Sequence, residues 1–276
     1  MTIRVVAVTG RGLVAPDEPV IRADDEALLR GRAAFETLRV YSGRPFRLEP
    51  HLDRLDASTE RMGLPAVDRD EIRGLASLVL PHSGPSDAVL RLVWTGGSEA
   101  APPTGIALLS DVPDWIEEIR ARGARAVSLL GVRAAVPWLL PGVKSTSYAV
   151  NMAAEAEAKR RGADEAIFFD GDGIVLEGTV TNVWWRRGET LYTPSLELGI
   201  LAGVTRAAVF DLAPSCGYAL EAGAFPLRDL LEAEEAFTSS SVRELMPIVE
   251  LDGARIARGP AADQLQAALR ALTTAG

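Results

Sequence analysis

Residues 3–8 (IRVVAV) form a β-rich apolar run that predicts an opening strand, and residues 36–46 (ETLRVYSGRPF) predict two strands folded around a Ser-Gly turn. From 48 to 63 (LEPHLDRLDASTERMG), Leu52, Leu55 and Met62 recur at near-helical spacing and Gly63 closes the pattern. Residues 68–80 (DRDEIRGLASLVL) repeat that amphipathic theme, which predicts a second helix. The run DAVLRLVWTGG (87–97) alternates like a strand and ends in a glycine turn, with another short strand, GIALLS, after it. Strands and helices mix here without a strict βαβ repeat, so the first part of the chain is expected to be α+β.

The pattern changes after the proline-bounded segment DVPDWIEEIRARG (111–123), which reads as a partly helical linker. Beyond it come a strand, a loop containing Lys144, a helix over 147–161, and four closely spaced strands in AIFFD, GIVLEG, VTNVWW and TLYTP. Turns are marked by Gly171, Gly173 and Gly188. Such strand spacing suggests a barrel-like domain. A helix opens behind a glycine in GVTRAAVFDLAPSCG (203–217), and an amphipathic helix closes the chain from 261. The expected organisation is a small N-terminal domain over 1–112, a linker over 113–124 and a larger barrel-like domain over 125–276. No internal repeat is visible.

Composition narrows the function. The chain of 276 residues is 47% hydrophobic and 24% charged, values of a folded globular protein rather than a disordered or collagen-like one. No apolar run reaches the length of a membrane span, and the N-terminus does not read as a secretory signal, so a cytoplasmic location is expected. A single cysteine, Cys216, excludes an internal disulfide framework and multi-cysteine metal sites, and with only His51 and His82 no metal is expected. A net charge of −9 opposes binding to nucleic acid or an anionic membrane, which leaves small molecules as the expected partners.

The 29 basic side chains include only two lysines, Lys144 and Lys159, the rest being arginine. Lys159 follows Glu155 by four positions and precedes Gly162, where a helix C-terminus favours positive charge. Lys144, in PWLLPGVKSTSYAVNM, has no acidic residue within four positions. Arginine would serve any purely electrostatic task there, whereas only lysine offers an amine that can lose its proton and condense with a carbonyl. Gly203, Val204 and Thr205 open a helix, where free N–H groups and a hydroxyl can hold an anion or simply cap the helix. The hydroxyl run Thr238 to Ser241 suits a phosphate or carboxylate, or a polar turn; Glu177 ends a strand between apolar flanks, where its carboxylate is either held dry or faces water.

The strings GRAAFETLRV with HLDRL, then KSTSYAVNM, VLEGTVTNVWW, GILAGVTR and FTSSSVRELMPI, in that order and spacing, resemble the class IV aminotransferases, the pyridoxal-phosphate enzymes of fold type IV. That group includes D-amino-acid transaminases, branched-chain aminotransferases and aminodeoxychorismate lyases. The resemblance spans about residues 30 to 250. It implies pyridoxal 5'-phosphate as cofactor, with Lys144 both holding it as a Schiff base and carrying the proton between substrate and cofactor. It implies that Glu177 pairs with the pyridine nitrogen, that Arg54, Gly203, Val204, Thr205, Ser240 and Ser241 bind the phosphate, that Leu201 packs on the ring, and that Tyr148 reaches the phenolic oxygen. It also implies a homodimer.

For the substrate, Arg91 is a lone charge on the otherwise apolar strand VLRLV and is the expected carboxylate clamp, with Arg32 a second candidate and Phe35 beside it in the GRAAF motif as a pocket residue. The turn TGGSEAAPP lacks the arginine–histidine pair of well-known D-transaminases, so a different carboxylate arrangement is implied. Val89, two positions before Arg91, stands where branched-chain enzymes tend to have tyrosine, and Glu36 stands where lyases often have threonine. The expected activity is therefore a ping-pong transaminase moving the amino group of a D-amino acid to a 2-keto acid. The alternatives are aminodeoxychorismate lyase and, further off, a branched-chain aminotransferase.

Overall fold

The computed structural model describes residues 2–131 and 136–274, and the chain groups into two units: Met1–Pro113 with Val143–Tyr148, and Asp114–Gly142 with Ala149–Gly276.

In the first unit the alternating runs become β1 (Ile3–Val8), β2 (Gly12–Val14), β3 (Ala33–Tyr41), β4 (Arg44–Pro45), β5 (Ala88–Thr95) and β6 (Gly105–Asp111). A short helix, α1 (Glu26–Arg30), precedes β3, and the two amphipathic patterns become α2 (Leu48–Met62) and α3 (Arg69–Val79). The strands form one antiparallel sheet in the order β2-β1-β6-β5-β3-β4. The β3–β4 hairpin turns through Ser42 (φ 48°) and Gly43 (φ 82°), the paired left-handed conformations that match the twist of the strands they join. Asp68 caps α3 by accepting from Glu71 N at 3.0 Å.

Period-two alternation sorts the sheet's residues onto two faces. Ala34, Leu38 and Val40 of β3 and Leu90 and Leu92 of β5 point into one core with Leu52 and Leu55 of α2 and Ile72 and Val79 of α3. By the same alternation Glu36 lies on that core face, while Phe35 and Arg91 lie on the other. The segment 143–148 adds to the free edge of β3 near its start: Phe35 N donates to Lys144 O at 3.0 Å, Thr146 N to Ala33 O at 2.9 Å, and Ala34 bridges Ser145.

The second unit runs α4 (Trp115–Arg122), β7 (Ala124–Leu129), α5 (Ala149–Arg160), β8 (Glu165–Phe169), β9 (Val175–Gly178), β10 (Asn182–Arg187), β11 (Thr190–Pro194), α6 (Val204–Leu212), β12 (Ala219–Gly223), α7 (Leu227–Leu231), β13 (Glu235–Ser240), β14 (Glu244–Leu251), β15 (Ala254–Arg255) and α8 (Ala261–Thr274). Six strands close a ring in the order β10-β13-β14-β7-β8-β9, and the final joint back to β10 is the single pairing of Asn182 with Glu177. The barrel expected from four spaced strands thus exists, with a correction to its membership. TLYTP, now β11, lies outside the ring: β10 gives the start of one edge to β9 and the end of that edge, Trp185 to Arg187, to β11.

β8 is buried on both faces. Ile167 and Phe169 of β8 join one apolar cluster with Val183 and Trp185, while Ala166 and Phe168 join another with Ala154 and Ala158 of α5. The expected helix over 203–217 stops at Leu212, and a tighter turn with Pro214 near its start continues to Cys216. No helix among the described residues is long and apolar enough to cross a membrane.

Candidate active site

In the first unit the chemistry gathers around Phe35. Lys144 Nζ lies 4.5 Å from the centre of its ring, the Arg91 guanidinium carbon 5.5 Å, and Tyr148 meets it edge-on at 5.5 Å. Backbone pairing of 143–148 on β3 explains why: it carries Lys144 to the same strand that presents Phe35. Lys144 N also donates to Ser58 Oγ of α2 at 3.2 Å, a second tie on the lysine's own peptide. Arg91 keeps an exposed side chain on β5, yet its surroundings desolvate the guanidinium enough to lower its pKa; its apolar partner is the Phe35 ring, a cation–π arrangement that leaves the charge open to an anion.

Arg32, the second carboxylate candidate, has other partners. It pairs with Glu26 at 2.6 Å, and Nη2 donates to the carbonyl of Gly63 at 3.2 Å, where α2 ends. Cations at a helix C-terminus complement its unpaired carbonyls, so this arginine fastens α1 to the end of α2.

Arg54 enters a buried cluster that the sequence did not announce. Glu36 is fully buried and receives Arg54 bidentately, Nε to Oε1 at 2.8 Å and Nη2 to Oε2 at 2.6 Å. His51 Nδ1 sits 2.6 Å from Glu36 Oε2; since a carboxylate only accepts, the His51 proton is assigned to Nδ1. Burial works against the Glu36 carboxylate, but the charge and hydrogen bonds of Arg54, helped by those of His51, outweigh it and hold its pKa down to about 2. Burial also pushes His51 below its usual range, against the pull of Glu36.

Both shifts act in one direction. A depressed Glu36 stabilises the fold fully above the unfolded value of 4.5, and that contribution disappears as pH falls towards 2; a depressed His51 adds a cost below about 6.5, where the unfolded ring takes a proton that the folded one refuses. Thermal stability of the wild type is expected to drop on acidification through this window, with Glu36 accounting for on the order of 3 kcal/mol. E36Q should lower the melting temperature at neutral pH and flatten the curve below pH 4.5; wild-type and E36Q curves that run parallel would show the carboxylate contributes nothing.

In the second unit a peptide is held at both ends. Leu201 N donates to Glu177 Oε2 at 3.0 Å, and Leu201 O accepts from Asn182 Nδ2 at 2.9 Å. Because Asn182 also pairs with Glu177 to close the ring, three residues fix one another. Just beyond, Gly203 begins α6 with no side-chain cap, and a Cβ there would lie 2.0 Å from Asn182 Oδ1. A side chain there would push Asn182 off Leu201, so the glycine preserves that clasp. Val204 and Thr205 are buried in the first turn of α6. Of the hydroxyl run, Ser239 Oγ accepts from Trp184 Nε1 at 2.9 Å and Ser240 Oγ from Arg243 N at 3.2 Å. Lys159 is exposed in the last turn of α5, the helix-end position expected of it.

Asn182, His51 and Ser58 were not singled out from sequence. A polar residue in the apolar run TNVWW was a signal for the first; the other two depend on what α2 packs against.

The family model "Amino-transferase class IV" matches residues 33–251. A bifunctional aminodeoxychorismate lyase / D-amino acid transaminase of Mycobacterium tuberculosis is 34% identical, with 91% of this chain and 92% of that protein covered. Among solved structures, a hypothetical aminotransferase of Mycobacterium tuberculosis in its PLP-bound form superposes with a TM-score of 0.91 at 34% identity, covering 97% of this chain and 99% of that one. A fold IV-transaminase from Curtobacterium pusillum superposes with a TM-score of 0.88 at 35% identity, covering 99% and 100%.

Proposed function

From the chain's membership of the class IV aminotransferases, pyridoxal-phosphate enzymes of fold type IV, we propose that its own reaction is transfer of the amino group of a D-amino acid to a 2-keto acid. The observation that carries this reading is the pairing of Arg91 and Lys144 around Phe35: a cation open to a carboxylate stands on the same aromatic ring as the amine that would do the chemistry.

The second unit's residues fit a phosphorylated pyridine. An uncapped helix start behind Gly203, with Thr205 buried in the first turn, suits a phosphate dianion, and Ser240 and Ser241 add hydroxyls. Glu177, fixed by the Leu201 N–H, suits a ring nitrogen that must keep its proton. When bound, the cofactor supplies an aldehyde and a ring that accepts electrons from the substrate's α-carbon. Lys144 Nζ would hold that aldehyde carbon covalently and, once displaced by the substrate amine, take the α-proton and return it to the other carbon. Arg54, locked by Glu36, would offer a rigid guanidinium to the phosphate; Leu201 would cover the ring, Tyr148 would donate to its phenolic oxygen, and Phe35 would line the substrate pocket.

The test is spectroscopic and uses one amino acid at a time. Addition of D-alanine or D-glutamate alone is expected to convert the absorbance of the lysine-bound cofactor to that of its aminated form, and R91A should raise the KM for the amino acid roughly 10- to 100-fold. Aminodeoxychorismate lyase is the second reading, favoured by the bifunctional name of the Mycobacterium tuberculosis relative. No conversion with either D-amino acid, together with pyruvate released from aminodeoxychorismate, would replace the first reading by the second.

A further inference from the structure

Glu165 is a buried carboxylate in β8 that none of the roles above employs. Its Oε1 accepts from Ala166 N at 3.0 Å, Thr179 N at 3.1 Å and Thr179 Oγ1 at 2.6 Å; its Oε2 accepts from Thr181 Oγ1 at 3.3 Å and Arg243 Nη1 at 2.8 Å. One side chain therefore gathers three separate segments. The turn 178–181 wraps around it so tightly that Gly178 N donates to Thr181 O at 2.8 Å, and a Cβ at Gly178 would lie 2.1 Å from Thr181 Oγ1. That turn begins one residue after Glu177.

Arg243 extends the same network to the hydroxyl run. Its backbone N–H closes the turn onto Ser240 Oγ, its guanidinium lies 5.1 Å from the Trp115 ring centre, and Glu155 approaches it at 3.5 Å. The turn needs support, because the next residue, Glu244, is a non-glycine in the left-handed region (φ 54°). Glu244 is itself buried and held by Gln266 at 2.9 Å and Arg270 at 2.7 Å. A buried, fully satisfied ionic network of this kind is costly to assemble and specifies one arrangement of the backbone around it.

We infer that Glu165 and Arg243 are positioning residues that set, through one ion pair, the turn following Glu177 and the turn bearing Ser240 and Ser241. The inference rests on the cofactor roles proposed above. The two oxygens divide the work unevenly: Oε1 holds only the turn after Glu177, through Thr179, while Oε2 takes Arg243 on the serine side together with the Thr181 hydroxyl.

That division gives the test its arms. E165Q keeps an acceptor for Ala166 and Thr179 but turns an amide towards Arg243, and R243M removes the cation itself. Both variants, as full-length apo protein titrated with pyridoxal 5'-phosphate, are expected to bind it roughly 10- to 100-fold more weakly, as loss of an outer-shell partner does elsewhere. Their affinity for pyridoxal, which lacks the phosphate, should stay near wild type. E165A frees both turns and should in addition move the pH at which the bound cofactor's absorption changes. T181V, which removes one hydroxyl only, guards against variants that fail to fold and should give a smaller loss in the same direction. Lowered melting temperatures with unchanged affinity for both aldehydes would reduce the pair to a structural role and overturn the inference. A wild-type chain that takes up no pyridoxal 5'-phosphate would overturn the preceding reading, and this one with it.

Discussion

Replacing Lys144 by alanine is expected to abolish amino-group transfer, with turnover falling at least about 10⁴-fold, the upper range for a positioned proton carrier alone. Lys144 is the half-buried amine on the Phe35 ring, and its peptide is tied to β3 and to Ser58 through backbone groups that alanine retains. The fold should therefore survive, which makes loss of activity interpretable. K144R keeps the positive charge and should be just as inactive, because a guanidinium neither releases its proton near neutral pH nor condenses with an aldehyde. Borohydride reduction of the loaded wild type, followed by peptide mapping, should fix the label at residue 144. A label on Lys159, the exposed helix-end lysine, or on no lysine at all, would sink the assignment.

E177Q is expected to lower turnover roughly 10²- to 10³-fold, comparable to loss of one preorganised electrostatic partner at a reacting centre. Glutamine can still accept the Leu201 N–H and still pair through its backbone with Asn182, so the melting temperature should hardly move. What goes is the negative charge that would keep the ring nitrogen protonated. Transient kinetics of the half-reaction with a D-amino acid would separate this from weaker binding: the proton-transfer rate falls while cofactor affinity holds. An E177Q enzyme with wild-type rates would remove Glu177 from the chemistry and leave it as the clasp on Leu201.

How much of this was legible beforehand follows from where the information lies. The near-absence of lysine made Lys144 conspicuous without any structure, and the β-rich or amphipathic runs located β1, β3, α2, α3 and β5 because local pattern decides elements that bury one face. Glu36 with Arg54 was not legible, since the partners are 18 positions apart and meet only when α2 packs on the sheet. Arg91 read as a buried charge because its strand is apolar; it lies on the face of the sheet that carries Phe35 of β3 instead of the core, partly desolvated there but with an exposed end. Glu165 was hidden in the same way: in DEAIFF it looks like a strand-edge acid, and only the closing of the ring brings Thr179, Thr181 and Arg243 to it. The barrel itself was half visible, because β13 and β14 carry polar residues at strand ends and one strand in the expected set, TLYTP, pairs outside the ring.

The shortest joint in that ring carries a consequence for the empty and loaded states. The ladder at that joint is one residue pair, Asn182 with Glu177, and it is held shut by the short turn that joins the two strands, with Gly178 N on Thr181 O, and by Leu201. A molecule that anchors the Glu177 carboxylate would add one more tie at this joint, so part of its binding energy would go into holding the ring closed. Occupancy and rigidity are then one equilibrium viewed from two ends.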